Sequence, residues 1–391
     1  MKVIFDKTKK MRPVKSWCME PEQSAVDQAI NLAMLPFTHS HVALMPDTHS
    51  GYGMPIGGVA GFLGVVIPYC VGVDIGCGMY ALRTNLKAAL FTRELRQQVM
   101  AEIRKRIPLG KNHHEKLPSL DFMPPKPDKA LCPIAFAQYD RATRSLGTLG
   151  GGNHFIEFQY DEEGFVWIMI HSGSRNLGKT ICDYYHEQAN ALAKQWNSAT
   201  LKEWKLAHLP VDSDIGRSYI AEMQFALRFA KANRRSMMLA VFESLNGILP
   251  VDETFLLDIH HNYAALEHHF GEDVWVHRKG ATSARMDELG IIPGSQGSTS
   301  YIVRGKGNPL SFTSCSHGGG RCMSRTAATK TLDLVAEIKK LDDQGIVHGI
   351  RNAADLDEAV GSYKDINVVM AEQADLVDMV HVLHPMAVVK G

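Results

Sequence analysis

Pro46 to Ala81 reads PDTHSGYGMPIGGVAGFLGVVIPYCVGVDIGCGMYA. Glycine and β-branched residues crowd it, and Asp47, His49, Cys70, Asp74 and Cys77 are the groups in it able to ligate a metal. Val71 to Ala81 is rich in Val, Ile and Gly, which predicts a buried strand running into a tight turn, with Gly76 and Gly78 letting the backbone pass close to a neighbour. Asp74 and Cys77 then stand three residues apart in a turn, where a carboxylate and a thiolate can converge on one cation or share one between two. An isolated D-x-x-C is more often a turn-former beside a small buried thiol. The motif gains weight only if histidines arrive from elsewhere in the chain.

The rest of the chain sets limits on what such a site serves. With 391 residues, 45% of them hydrophobic, it can bury a large core. A net charge of +0 gives no global attraction to nucleic acid, so any polyanion site must be a local patch. The cysteines at 18, 70, 77, 132, 182, 315 and 322 form no C-x-x-C pair, and their odd number points to reduced thiols. The first residues carry no apolar signal core, and no run is long enough to cross a bilayer, so the expected location is the cytoplasm, with no membrane partner.

Along the chain, the periodicity predicts a helix over Ser24 to Met34, a strand over His41 to Met45, and an amphipathic helix over Thr92 to Ile107 with Leu95, Val99 and Ile103 on one face. Pro108 to Pro133 reads as a proline-rich surface loop. Phe155 to Tyr160 and Phe165 to Ile170 are expected to form a hairpin around Asp161 to Gly164. His154 opens its first strand and His171 closes its second, which brings both to one end. Residues 179–249 read as mostly helical, with Ile215 to Leu245 forming one helix or two, Ile220, Met223 and Leu227 marking its apolar face, and Arg234 and Arg235 solvated. Asp258 to Glu267, DIHHNYAALE, looks helical after its start, and only one of His260 and His261 can face a site. Strands are expected through Trp275 and Val276 and over Ser300 to Val303. His317 stands among small residues directly before three glycines and Arg321, a setting in which backbone can wrap phosphate oxygens.

Taken together, the motifs resemble the RtcB family of RNA-splicing ligases. The matching stretches, in family order, are PDTHSGYGMPIGGVA, VGVDIGCGM, LGTLGGGNHFIE, HSGSRNLG, HHNYAALE, RKGATSA, IIPGSQGSTSYIVRG, SCSHGGGR with MSR, SYKDI and the terminal VKG. The resemblance implies an α+β fold in a single large domain over 1–391, with a mixed or antiparallel sheet core flanked by helices and a mostly helical insertion at about 179–249. It implies Asp74, Cys77, His154, His171 and His261 as ligands of two manganese ions, Cys77 bridging them. His317 would be the nucleophile that takes up GMP, and Asp47 its orienting carboxylate. GTP contacts carry over to Asn153, Glu157, Ser295, Gly318, Gly319, Gly320, Tyr363 and Lys390, and the family's RNA groove to Arg175, Lys279, Arg321 and Arg325.

The residue chemistry agrees with those assignments. An imidazole attacking phosphorus needs a bare ring nitrogen, and a carboxylate on the other N–H fixes that tautomer. A carboxylate and an ammonium suit the N–H edge and carbonyl of guanine. The donor set would also hold zinc tightly, so manganese rests on the resemblance. Gln296 stands where the family has methionine, and Gly319 where it has alanine; neither change removes a ligand or the nucleophile. The expected activity joins an RNA 3'-phosphate or 2',3'-cyclic phosphate end to a 5'-hydroxyl end, in tRNA splicing or RNA repair, by a monomer for which an activating protein such as archease is a candidate partner. The alternatives are a dinuclear metal phosphoesterase or nuclease, which needs no His317, and a catalytically silent RNA-binding protein, which would have lost a ligand or the nucleophile.

Overall fold

The structure is a computed structural model that describes residues 1–8, 10–195 and 198–391. Two sheets form its frame. The first has six strands in the order Lys2–Ile4, Val14–Ser16, Thr38–His49, Ile56–Phe62, Glu272–Lys279 and Asn262–His269. All its neighbours are antiparallel except Val14–Ser16 beside Thr38–His49. The second has seven antiparallel strands in the order Glu253–His260, Gly78–Lys87, Phe165–Ser172, Phe155–Tyr160, Val377–Lys390, Ser300–Gly305 and Leu289–Ile292. This is the expected mixed α+β class.

Local sequence accounts for several elements directly. The helix Arg93–Arg106 starts where the Thr92 side chain accepts the Leu95 N–H, and its basic last turn complements the negative end of the helix dipole. Val99, Met100 and Ile103 are the residues it buries against the seven-stranded sheet. The hairpin Phe155–Tyr160 and Phe165–Ser172 forms in the expected register, with Phe155 opposite His171. The helical stretch comprises Leu177–Gln195, Ala199–Glu203 and one 33-residue helix, Asp214–Asn246. All seven cysteines are free, and no helix among the described residues is long and apolar enough to cross a membrane.

Three sequence expectations need correction. Val71 to Ala81 is not a strand leading into a turn: the chain makes a short helix, Pro68–Val71, then the turn, and the strand begins only at Gly78. Gly76, at φ 77°, takes a conformation closed to most side chains and interrupts any extended run. DIHHNYAALE is not helical. Asp258 pairs with Tyr80 in the second sheet and Asn262 with Lys279 in the first, so the chain changes sheets at His261. Those long-range ladders outweigh the helix propensity of the two alanines. Finally, Arg234 is not solvated but wholly buried and ion-paired with Asp258 at 2.7 Å, whereas Arg235 lies over the Phe122 ring.

Candidate active site

The ends of four segments meet where the two sheets join. Cys77 stands one residue before its strand, His154 one residue before the hairpin, His171 near the hairpin's other end, and His261 at the corner between sheets. Backbone bonds lock the corner to the turn: His261 N–H donates to the Cys77 carbonyl (3.0 Å) and Gly76 N–H to the Asn262 carbonyl (2.9 Å). Asn262 adds a side-chain bond to the Asp74 carbonyl (3.0 Å).

The ring nitrogens reveal what the cluster is built for. His154 Nδ1 lies 2.9 Å from the Leu149 carbonyl and His171 Nδ1 2.9 Å from the Asn153 carbonyl. A carbonyl only accepts, so both Nδ1 atoms carry the proton and both Nε2 atoms present bare lone pairs. These point at Cys77 Sγ, at 3.5 Å and 3.2 Å, and His171 Nε2 also faces His261 Nε2 at 3.4 Å. His154 Nε2 is 3.2 Å from Asp74 Oδ2. Two ligand sets result, Asp74 with Cys77 and His154, and Cys77 with His171 and His261, the ligand atoms of each within 4.8 Å of one another and Cys77 common to both.

The electrostatics agree. Burial would raise the Asp74 carboxyl, but its contacts with His154 and Cys77 outweigh it and hold it at about 2. Burial, then the Asp74 charge, pushes the Cys77 thiol far up, and burial drives His171 and His261 well down. A carboxylate, a thiol and imidazole nitrogens that converge on one another are a donor set that fits two divalent ions.

His317 lies beside this cluster, its ring centre 4.8 Å from that of His261. It follows the short strand Ser314–Ser316, which pairs with Ala281–Ser283. Asp47 Oδ2 accepts both the His317 Nδ1–H (2.6 Å) and the His317 backbone N–H (3.1 Å), so Nε2 is the ring nitrogen left bare. Asp47 is fully buried; burial would raise its carboxyl, but the His317 contact holds it below the usual range. Gly280 gives the ring its room, since a Cβ there would lie 2.9 Å from His317 Cε1.

The cavity in front of His317 is lined by His49, Asn153, Glu157, Pro293 to Gln296, Gly318 to Arg321, Arg325, Glu358, Tyr363 and Lys390, among others. Glu157 and Lys390 reach the same face of adjacent strands, because Glu157 lies opposite Val388 and Phe155 opposite Lys390. Glu157 Oε2 accepts from Gln159 Nε2 (2.9 Å), while Oε1 is buried without a partner. Burial pushes the Glu157 carboxyl well up against the pull of Lys390, and burial lowers the Lys390 ammonium.

Comparison with known proteins identifies the family. The family sequence model described as tRNA-splicing ligase RtcB matches residues 28–125 and 127–391. The RNA-splicing ligase RtcB of Escherichia coli (strain K12) is 40% identical over 406 residues, covering 97% of each chain. The chain belongs to the RtcB family. The tRNA-splicing ligase RtcB of Archaeoglobus fulgidus is 33% identical over 95% of this chain and 92% of its own length, and the RNA-splicing ligase RtcB of Mycobacterium bovis is 33% identical over 93% of this chain and 100% of its own.

The four RtcB-type basic positions stand in different settings. Lys279 is buried, its ammonium donating to the carbonyls of Tyr52 (2.7 Å), Met54 (3.1 Å) and Tyr69 (3.1 Å), so it has no N–H left for RNA. Arg175 is half-buried, bonded to Thr148 Oγ1 and the Gly110 carbonyl. Arg321 and Arg325 line the cavity instead, both paired with Glu358 at 3.1 Å and 2.7 Å. Glu358 also accepts the Tyr363 hydroxyl, and its carbonyl accepts from Gln296 Nε2 (2.8 Å). Sequence reading missed Glu358, which sits in a 3-10 turn with no distinctive spacing. It also missed Arg234, although a signal was present: continuing the stripe of Ile220, Met223 and Leu227 by two turns of helix lands on that arginine.

Proposed function

We propose that this chain is a GTP- and manganese-dependent RNA ligase, joining RNA ends that carry a 3'-phosphate or 2',3'-cyclic phosphate to ends that carry a 5'-hydroxyl. The observation that carries the reading is a histidine with one bare ring nitrogen, held by a buried carboxylate, within a ring's width of a cluster suited to two cations. A dinuclear phosphoesterase would leave the His317–Asp47 pair and the Glu157–Lys390 wall without a task.

In this reading His317 Nε2 attacks the α-phosphorus of GTP, forming the P–N bond as the bond to pyrophosphate breaks. Asp47 holds the Nδ1 proton throughout and stabilises the charge that the ring acquires. Bound between Asp74, Cys77, His154, His171 and His261, two divalent ions would neutralise the charge gathering on the transferring phosphoryl group. In this reading the amides of Gly318 to Gly320 and the side chain of Asn153, which line the cavity, hold phosphate oxygens. Glu157 Oε1 accepts from the N–H edge of guanine and Lys390 donates to its carbonyl, whereas adenine would leave both unpaired. Tyr363 and Ser295 complete the nucleoside wall. GMP then passes to the RNA 3'-phosphate, and the 5'-hydroxyl attacks that phosphorus with loss of GMP; a cyclic end is first opened by water.

The same reading takes the whole chain, 1–391, as one monomeric catalytic unit working in the cytoplasm, with an activating protein such as archease as a candidate partner. The test is incubation with α-labelled GTP and manganese. Wild-type protein acquires acid-labile label, and H317A acquires none while still binding metal. Label on H317A would assign the nucleophile elsewhere.

A further inference from the structure

Arg234 sits in the middle of the helix Asp214–Asn246 with a wholly buried side chain, and none of the phosphoryl chemistry above uses it. Its donors go to three separate segments. Nη1 donates to the carbonyls of Gly76 (2.9 Å) and Ser172 (3.0 Å), Nε to Asp258 Oδ1 (2.7 Å), and Nη2 to His260 Nδ1 (3.1 Å). Gly76 lies between Asp74 and Cys77, Ser172 follows His171, and Asp258 and His260 lead into His261. One planar group thus touches every segment that carries Asp74, Cys77, His171 and His261.

The contact requires close approach of helix and turn. A Cβ at Gly76 would lie 2.9 Å from the Ala230 methyl, so glycine lets the helix bring Arg234 under the turn. Burying a guanidinium with a carboxylate at 5% exposure is costly, and an apolar side chain would fill the same volume with less desolvation. What an apolar residue cannot do is hold two carbonyls, a carboxylate and an imidazole in one fixed geometry.

We propose that Arg234 is a positioning residue for the cation pair: it fixes the turn at 74–77, the strand end at 172 and the corner at 260–261 relative to one another, so that Cys77 can serve both ions. The proposal rests on the dinuclear reading of the site. If wild-type protein fails to bind two manganese ions, that reading falls. If wild type binds two and the variants below do likewise, only the part given to Arg234 falls.

The test compares R234K, which keeps the charge and loses the planar fork, with R234M, which loses both. Circular dichroism and thermal unfolding identify the folded variants. Folded R234K binds manganese about 10- to 100-fold more weakly than wild type. At full loading its electron paramagnetic resonance spectrum shows isolated ions in place of the exchange-coupled pair. Wild-type affinity together with an intact coupled pair in folded R234K overturns the proposal. M237A, a cavity in the same helix at a fully buried position away from the turn, separates positioning from general loosening. It lowers the melting temperature and leaves the pair coupled; if it uncouples the pair as R234K does, the proposal is overturned. Should neither Arg234 variant fold, D258N carries the test by removing the counter-charge: a weaker, uncoupled pair supports the proposal, and wild-type manganese binding contradicts it.

Discussion

The cluster around Cys77 and the cavity wall around Glu358 are both buried and both polar, yet their accounts balance in opposite ways. At Glu358 each charge meets its complement: Arg325 and the Tyr363 phenol donate to the carboxylate, and Arg321 is ion-paired with it at 3.1 Å. At Cys77 like meets like, with bare imidazole nitrogens, a thiol and a carboxylate pointing at one another without enough protons between them. The first arrangement pairs opposite charges, whereas the second brings together donor atoms of the kind that hold cations. Two other polar residues show a related contrast: Glu157 lines the cavity with a buried unpaired oxygen, whereas Lys279 is caged by three carbonyls.

The sharpest way to break that comparison is at the adjacent histidines. H261A removes a proposed cation ligand and should abolish most ligation of a nicked RNA with cyclic-phosphate and 5'-hydroxyl ends, together with part of the manganese binding. H260A removes one acceptor from Arg234 and should keep both ions and substantial activity. The opposite ranking at saturating manganese would place the ligand at 260 and undo the assignment of the sheet corner.

A smaller effect is expected at the cavity wall. E157Q keeps the shape but replaces one carboxyl oxygen with an NH2 group that only donates, which should weaken GTP binding by about 1.5–3 kcal/mol, roughly 10- to 100-fold, and narrow the preference for GTP over ATP. Titration of both nucleotides against the variant checks it; an unchanged ratio would remove Glu157 from base recognition. The smallest catalytic effect belongs to Lys279. K279M leaves buried carbonyls unpaired at a cost of about 1–3 kcal/mol, lowering the melting temperature, while the KM for RNA in the folded variant stays at its wild-type value. A large rise in that KM without loss of stability would return Lys279 to the RNA surface.

Much of this was legible in the chain itself. The hairpin with a histidine at each entrance follows from alternation and a turn, and the helix at 93–106 from its cap and periodicity, because both are local signals. The corner at His261 is not local: Asp258 and Asn262 find ladder partners far along the chain in different sheets, and nothing within DIHHNYAALE encodes either one. Glu358 was hidden for a related reason, since its arginines lie 33 and 37 residues away and meet it only in the folded chain. Arg234 was readable in principle, as a charge on an apolar helical stripe, but its partners were not.

The central claim is that Cys77 is shared between two cations beside His317, and anomalous scattering from manganese-loaded crystals tests it most directly. Wild-type protein should show two peaks, both within bonding distance of Cys77 Sγ, one shared with Asp74 and His154 and the other with His171 and His261. C77A should lose both together, because each ion loses a ligand and the shared negative charge that holds the pair against its own repulsion. One peak still fully occupied in C77A would contradict the claim.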